Sequence, residues 1–192
     1  FIVLFLIPFV LFYMLKDGDK LPQKILKFLP EKQKNEAKRI LNDMDSALSS
    51  YIQGQLIVSA CVGILVYIGY LIIGLDYSLV LGLIAMLTSV IPFVGPIIGT
   101  IPGVIVAIID SPFMVLKVLI VVVAAQQIEG NLISPFVMGK KLDVHPLTII
   151  LLLLVAGSFG GLVGLLLAVP TYAVAKVIVR HTFRLVKLWR KH

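Results

Sequence analysis

The chain has 192 residues, 59% of them hydrophobic and 14% charged, with a mean hydropathy of +1.06. That composition excludes a soluble globular domain and defines an integral membrane protein. The net charge of +7 does not point to nucleic acid: eight of the seventeen Lys and Arg lie between Lys16 and Arg39 and six more between Lys176 and Lys191, juxtamembrane positions explained by positive-inside bias, with no nucleic-acid-reading motif beside them.

Residues 1–15 read as the end of a membrane helix truncated from a longer protein, with Pro8 a tolerated kink and Lys16–Lys20 its exit. Residues 16–50 read as an amphipathic cytoplasmic helical segment. Pro30 suits a first turn, and Ala37, Ile40, Leu41, Met44, Leu48 and Tyr51 recur at three- and four-residue steps. Both signs of charge occupy the polar face, which favours packing against protein over lying on lipid.

Residues 51–109 form a first repeat of one span plus one broken stretch. The span, 56–73, has small surfaces at Gly54, Gly63, Gly69 and Gly74 for close helix approach. From Leu75 to Ile109 runs an apolar stretch of about 35 residues, too long for one span of roughly 20. Pro92-Phe93-Val94-Gly95-Pro96 breaks it, because proline lacks a donor and clashes with the preceding turn. The arms, 77–91 and 97–109, are each too short to cross, so the stretch reads as a re-entrant helical hairpin.

Residues 110–179 form a second repeat. Asp110-Ser111-Pro112 is a turn, 113–128 a span, 126–145 a polar stretch, and 146–178 a second hairpin broken at Gly157-Ser158-Phe159-Gly160-Gly161. Leu142-Asp143 echoes Leu75-Asp76, and Val169-Pro170 echoes Ile101-Pro102. Residues 180–192 are a basic cytoplasmic tail. The expected fold is an all-α integral membrane protein, with membrane helices plus two re-entrant helical hairpins in an inverted repeat. Each repeat crosses an odd number of times, so the second copy is inverted, the arrangement of many alternating-access transporters. With 16–50 inside, the Lys-poor turns near Asp76 and Asp110 fall outside, and Lys117 snorkels to the outer interface.

The polar stretch holds the candidate chemistry. Glu129 is the only carboxylate between Asp110 and Asp143, and an ionisable group at membrane depth marks a solute or ion pathway by default. The alternative is an interfacial pair with Lys140 or Lys141. Gln126, Gln127 and Asn131 offer donors and acceptors that suit a hydroxylated solute, or else cap the meeting of two helices. Pro92, Phe93, Gly95 and Pro96 shape one hairpin tip, and Ser158, Gly160 and Gly161 the other. Returning arms starting near Ile97 and Leu162 would offer unpaired N–H groups, with Gly95, Gly160 and Gly161 admitting a ligand to the backbone. Glu129 and His145 are the proton-coupling candidates. His181 and His192, in the basic tail, carry little information. Cys61 is a lone cysteine in an apolar helix, so no metal site is expected. No catalytic motif and no cofactor motif appears, and an enzyme is not expected.

Tyr51-Ile-Gln-Gly-Gln55, Ile91-Pro-Phe-Val-Gly-Pro96, Gln126-Gln-Ile-Glu-Gly-Asn131, Ile133-Ser-Pro135, Val137-Met-Gly139, His145-Pro-Leu147 and Leu167-Ala-Val-Pro170, in this order, resemble the autoinducer-2 exporter family, also called the PerM-like permeases. The resemblance covers nearly the whole chain. It implies a transporter of the bacterial cytoplasmic membrane, a homopentamer, two hairpins contributing to substrate binding, and an elevator-like movement; the charge pattern places the C-terminus in the cytoplasm. Some members are associated with export of the quorum-sensing signal autoinducer-2, others with sodium or lithium exchange for protons. The expected activity is export of a small polar solute. The rivals are a sodium(lithium)/proton antiporter on the same scaffold and a non-transporting membrane scaffold. Partners would be the solute, the lipid bilayer and further copies of the chain.

Overall fold

The computed structural model describes residues 30–138 and 146–189, with side chains described at 30, 34–138 and 147–181. The expectations for residues 1–29, for Lys140, Lys141 and His145, and for His192 lie outside the described residues. The described chain is helical throughout: α1 (Glu31–Ile73), α2 (Ser78–Thr88), α3 (Val94–Asp110), α4 (Pro112–Ile128), a π-helical turn (Glu129–Ile133), α5 (Ser134–Met138) and α6 (Pro146–Trp189). Three helical stretches, Lys34–Ile73, Pro112–Met138 and Leu147–His181, are long and apolar enough to cross a membrane.

The helix boundaries have local causes. α1 runs unbroken through residues expected as a cytoplasmic segment and as the first span, since no proline lies between Glu31 and Ile73. It stops where Gly74 takes a positive φ of 74°. There the Gly74 N–H donates to the Leu71 carbonyl and the Leu75 N–H to the Tyr70 carbonyl, a Schellman closure that consumes the last helical acceptors. Gly74 is therefore a helix stop, with open space beside it, and offers no packing surface. The α2 helix ends before Ser89, and Pro92 bars its continuation. α4 opens on Ser111, whose Oγ accepts from the Met114 N–H at 3.1 Å, with Pro112 in the first turn.

The described residues form two compact units, 30–47 with 175–189, and 48–138 with 146–174. In the larger, Val58, Val62, Val66 and Tyr70 of α1 bury against Leu81 and Ala85 of α2, Ala107 of α3, and Met114, Val118 and Ala125 of α4. Small residues set the spacing. A Cβ at Gly63 would lie 2.5 Å from the Met86 Cβ, one at Gly82 2.6 Å from the Tyr67 Cβ, and one at Gly103 2.7 Å from the Tyr70 hydroxyl. A Cβ at Gly69 would overlap Val121 of α4. Close backbone approach is what drives helix association where solvent offers no hydrophobic push. The outward faces stay apolar, with Ile64, Ile68, Ile72 and Ile109 exposed.

The α6 helix is interrupted at Gly161, whose φ of 54° and ψ of −134° leave the helical region. A Cβ at Gly164 would overlap the Ala156 carbonyl oxygen, and Leu153 and Ala168 belong to one buried cluster with Ile91. In a continuous helix, eight residues would separate 156 from 164 by about 12 Å. The chain therefore doubles back here.

In the smaller unit, the residues expected to form a basic tail continue α6 as helix to Trp189. His181 is buried there, its Nε2 2.8 Å from Asp43 Oδ2 and its Nδ1 3.7 Å from Glu36 Oε1. Ala37, Ile40, Leu41 and Met44 are the less exposed side of α1, while Lys38, Arg39 and Asn42 face outward.

Candidate functional site

A cavity of about 520 Å³ opens within the larger unit, lined by Tyr51, Gln55, Val58 and Val62 of α1, by Ser89, Pro92, Phe93 and Pro96 at the α2–α3 connection, by Gln126, Glu129, Gly130, Ser134, Pro135 and Met138, and by Ile149 and Val169 of α6. Every wall of it comes from a helix break or from the helix facing one.

The α2–α3 connection is pinned from α1. Gln55, buried, donates from Nε2 to the Ser89 carbonyl at 2.8 Å. Ser89 is itself buried, and its hydroxyl has no protein partner although it lines the cavity. Phe93 holds a positive φ of 60°, a conformation unusual for a bulky side chain that persists only where surroundings enforce it. The surroundings here are a prolyl on one side and the start of α3 on the other.

The opposite wall is the π-helical turn. Pro135 gives no N–H to the preceding turn and its ring crowds the carbonyl four residues back, so the helix widens before it. The Ser134 N–H reaches the Glu129 carbonyl, five residues away, and the Glu129 N–H is shared by the Ala125 and Gln126 carbonyls. Such single π turns gather at functional sites. The widening turns Glu129 toward the cavity, where the Ser134 hydroxyl donates to Glu129 Oε1 at 2.5 Å.

The cavity brings together Pro92, Phe93, Pro96, Gln126 and Glu129 of the residues singled out in sequence. Gln127 and Asn131 are exposed and do not line it, and neither do Ser158, Gly160 and Gly161, exposed at the α6 interruption. Gly95 is buried with its missing side chain aimed at the Thr88 carbonyl, so it serves the packing of α3 on α2 and admits no ligand. The expected free N–H groups at the first break are occupied: the Val94 N–H bonds to the Pro92 carbonyl and the Gly95 N–H to the Ile91 carbonyl, and Pro96 has none. That helix start is not an anion cradle. Tyr51, Gln55, Ser89 and Ser134 were not singled out. The Tyr51-Ile-Gln-Gly-Gln55 run was visible, but only the fold shows that its helix faces the two breaks. No group of three or more metal-ligating side chains occurs among the described residues.

Long apolar helices interrupted around a partly open, mostly apolar cavity with a carboxylate in its wall are features expected of a membrane transport protein. The match of residues 1–184 to the AI-2E family transporter model is decisive: the chain belongs to the AI-2E transporter family. It is 51% identical over 187 residues to YueF of Bacillus subtilis, named as a candidate transport protein, covering 97% of this chain and 51% of YueF. It is 40% identical over 185 residues to YrrI of the same organism, covering 96% and 52%. With the candidate permease PerM of Escherichia coli K12 it shares 33% over 186 residues, covering 93% and 51%. The chain thus spans about half the length of these curated relatives. No solved structure matches it.

Proposed function

We propose that this chain carries the solute pathway of a secondary transporter that exports a small polar solute across the bacterial cytoplasmic membrane, with autoinducer-2 the first solute to test. The observation that carries the reading is the cavity itself. It holds a carboxylate at a π-widened turn, facing a proline-broken connection whose buried Ser89 hydroxyl has no protein partner. A volume of about 520 Å³ falls within the usual 300–1,000 Å³ of small-molecule sites. Both chain reversals, around 89–93 and at Gly161, are read as re-entrant hairpins entering from opposite faces in an inverted repeat. Alternate movement of the two then opens the cavity to one side at a time. An elevator-like movement, a homopentameric assembly and a cytoplasmic C-terminus complete the reading. Glu129 and His145 are its proton-carrying groups, and the solute gradient or an ion gradient supplies the driving force.

The test is flux in proteoliposomes containing the full-length protein. Export of autoinducer-2 or another small polar solute is expected, lowered roughly 10- to 100-fold by Glu129→Gln, the range set by losing one charge-assisted hydrogen bond of about 1.5–3 kcal/mol. Sodium- or lithium-dependent proton movement with no solute requirement would replace this reading with the antiporter. No flux of either kind from an intact oligomer would leave a scaffold.

A further inference from the structure

Charge is unevenly placed along this chain. Eight Lys and Arg and four Asp and Glu lie in 30–47 and 175–189, the smaller unit, against three and four in 48–174. Two of those four acids are turned onto one buried imidazole: Asp43 Oδ2 lies 2.8 Å from His181 Nε2, and Glu36 Oε1 3.7 Å from its Nδ1. These carboxylates share the polar side of α1 with Lys38 and Arg39, yet they are directed at α6 rather than at their neighbours. Lys38, Arg39 and Arg180 are left exposed, with no ion pair among the described residues. Asp45 is exposed as well, and the balance stays positive. The His181 contact also gathers the two basic stretches, since Arg180 directly precedes His181 and Arg39 lies about one turn before Asp43. On α6 the cations border hydrocarbon. No charged residue occurs from Pro146 to Ala175, then Lys176, Arg180, Arg184 and Lys187 follow at four- and three-residue steps. Ile178 and Val179, next to Arg180, are exposed.

We infer that the smaller unit is a binding surface for anionic phospholipid, with Lys38, Arg39 and Arg180 meeting the headgroup and Ile178 and Val179 meeting the upper part of the acyl chains. Positive-inside bias explains why cations gather on one side of a membrane. It does not explain why the acids among them are turned onto a buried histidine, leaving the cations without partners. A phospholipid presents an anion and hydrocarbon side by side, which is what Arg180 and its exposed apolar neighbours match. A nucleic acid or a free phosphate presents the anion alone. Each Lys or Arg close to an anionic bilayer surface strengthens binding about fivefold, an effect confined to within a Debye length and weakened by salt. The inference is independent of the solute and of the transport reading. On the proposed topology the leaflet concerned is the cytoplasmic one.

The test is lipid binding to the full-length protein in a neutral detergent. Phosphatidylglycerol with a fluorescent acyl chain is titrated by anisotropy, and phosphatidylcholine bearing the same label is the zwitterionic comparison. At low salt phosphatidylglycerol is expected to bind roughly 100-fold more tightly, three charges contributing about fivefold each. Arg180→Gln is expected to lower that preference about fivefold. The triple variant Lys38→Gln, Arg39→Gln, Arg180→Gln is expected to abolish it, and Lys117→Gln, a cation outside the unit, to leave it intact. Arg180→Gln alone, one exposed side chain, decides the matter should the triple variant fail to fold. Inorganic phosphate or a short single-stranded RNA, added at the lipid's concentration, is expected not to displace the labelled lipid. Equal binding of the two lipids by the unsubstituted protein overturns the inference. So does a preference that the arginine and triple variants retain, or one that Lys117→Gln abolishes. Displacement by phosphate or by RNA overturns the assignment to lipid.

Discussion

Gln55 and Ser89 form the contact on which the cavity's geometry turns. The amide joins α1 to the α2–α3 connection through a single buried bond of 2.8 Å to a main-chain carbonyl. No helix ladder supports that carbonyl, since it falls after the end of α2. Gln55→Met keeps the volume and removes the donor, leaving a buried acceptor unpaired at a cost of about 1–3 kcal/mol. The expected outcome is a lower melting temperature for the detergent-purified protein, together with faster proteolysis at 89–93. A melting temperature equal to wild type would show that water serves the carbonyl as well as the amide does. The same scale explains what the sequence could not reveal about His181. By position it belonged to a basic tail, yet it is 4% exposed with its imidazole between Asp43 and Glu36. Those partners precede it by more than 130 residues, a separation across which no local pattern carries information.

At the scale of the element, glycines divide into those that pack and those that bend, and substitution separates the two. A Cβ at Gly63 meets the Met86 Cβ at 2.5 Å and the Gly82 carbonyl oxygen at 3.0 Å, both fixed to backbone. Gly63→Ala is expected to push α1 from α2 and cost about 1–3 kcal/mol, as overpacking does. At Gly54 the nearest atom is the Met138 Cγ at 3.3 Å, on a flexible side chain, so Gly54→Ala is expected to be near neutral. Bending is tested at the α6 interruption. Gly161 has φ of 54° and Gly160 does not share that conformation, while a Cβ added at either would meet no atom within 4 Å. Gly161→Ala should lower stability by about 1–3 kcal/mol through backbone strain alone, and Gly160→Ala should not. Thermal melts of the four variants check all of this. The break at Pro92–Pro96 and the Ser111-Pro112 start of α4 were legible because proline and serine act on their own turns. The π turn at Glu129 was not, because a proline at 135 is equally compatible with a kinked or an ended helix, and only the fold shows the turn before it widened. Nor was the role of Gly95. Its sequence neighbours suggested a ligand-facing tip, whereas the close approach to Thr88 exists only once α3 folds onto α2.

For the whole molecule, the proposed orientation rests on charge and labelling can contradict it. Lys and Arg gather in 16–39 and 176–191, and such clusters are retained on the cytoplasmic side. On the proposed topology α1 would run outward, the turn at Gly74–Tyr77 and the turn at Ser111 would both face the exterior, and the α2–α3 reversal between them would return to the same side. Lys117 fits this placement, its ammonium 5.2 Å from the Phe113 ring centroid near the start of α4, as a cation held at an interface by an aromatic neighbour would be. In a Cys61→Ala background of the full-length protein, Asp76→Cys and Ser111→Cys are expected to react with a membrane-impermeant maleimide in intact cells, and Lys38→Cys only after permeabilisation. If Asp76→Cys reacts from outside and Ser111→Cys only after permeabilisation, the α2–α3 segment crosses the bilayer. Each of its helices has 17 residues or fewer, under the roughly 20 needed for a span, so a crossing would need both of them in line, and the break at Pro92 would then lie within a single transmembrane rod. Labelling of both from the same side is the result that keeps the Pro92–Pro96 tip inside the bilayer, where a cavity beside it can be closed from one face and opened to the other.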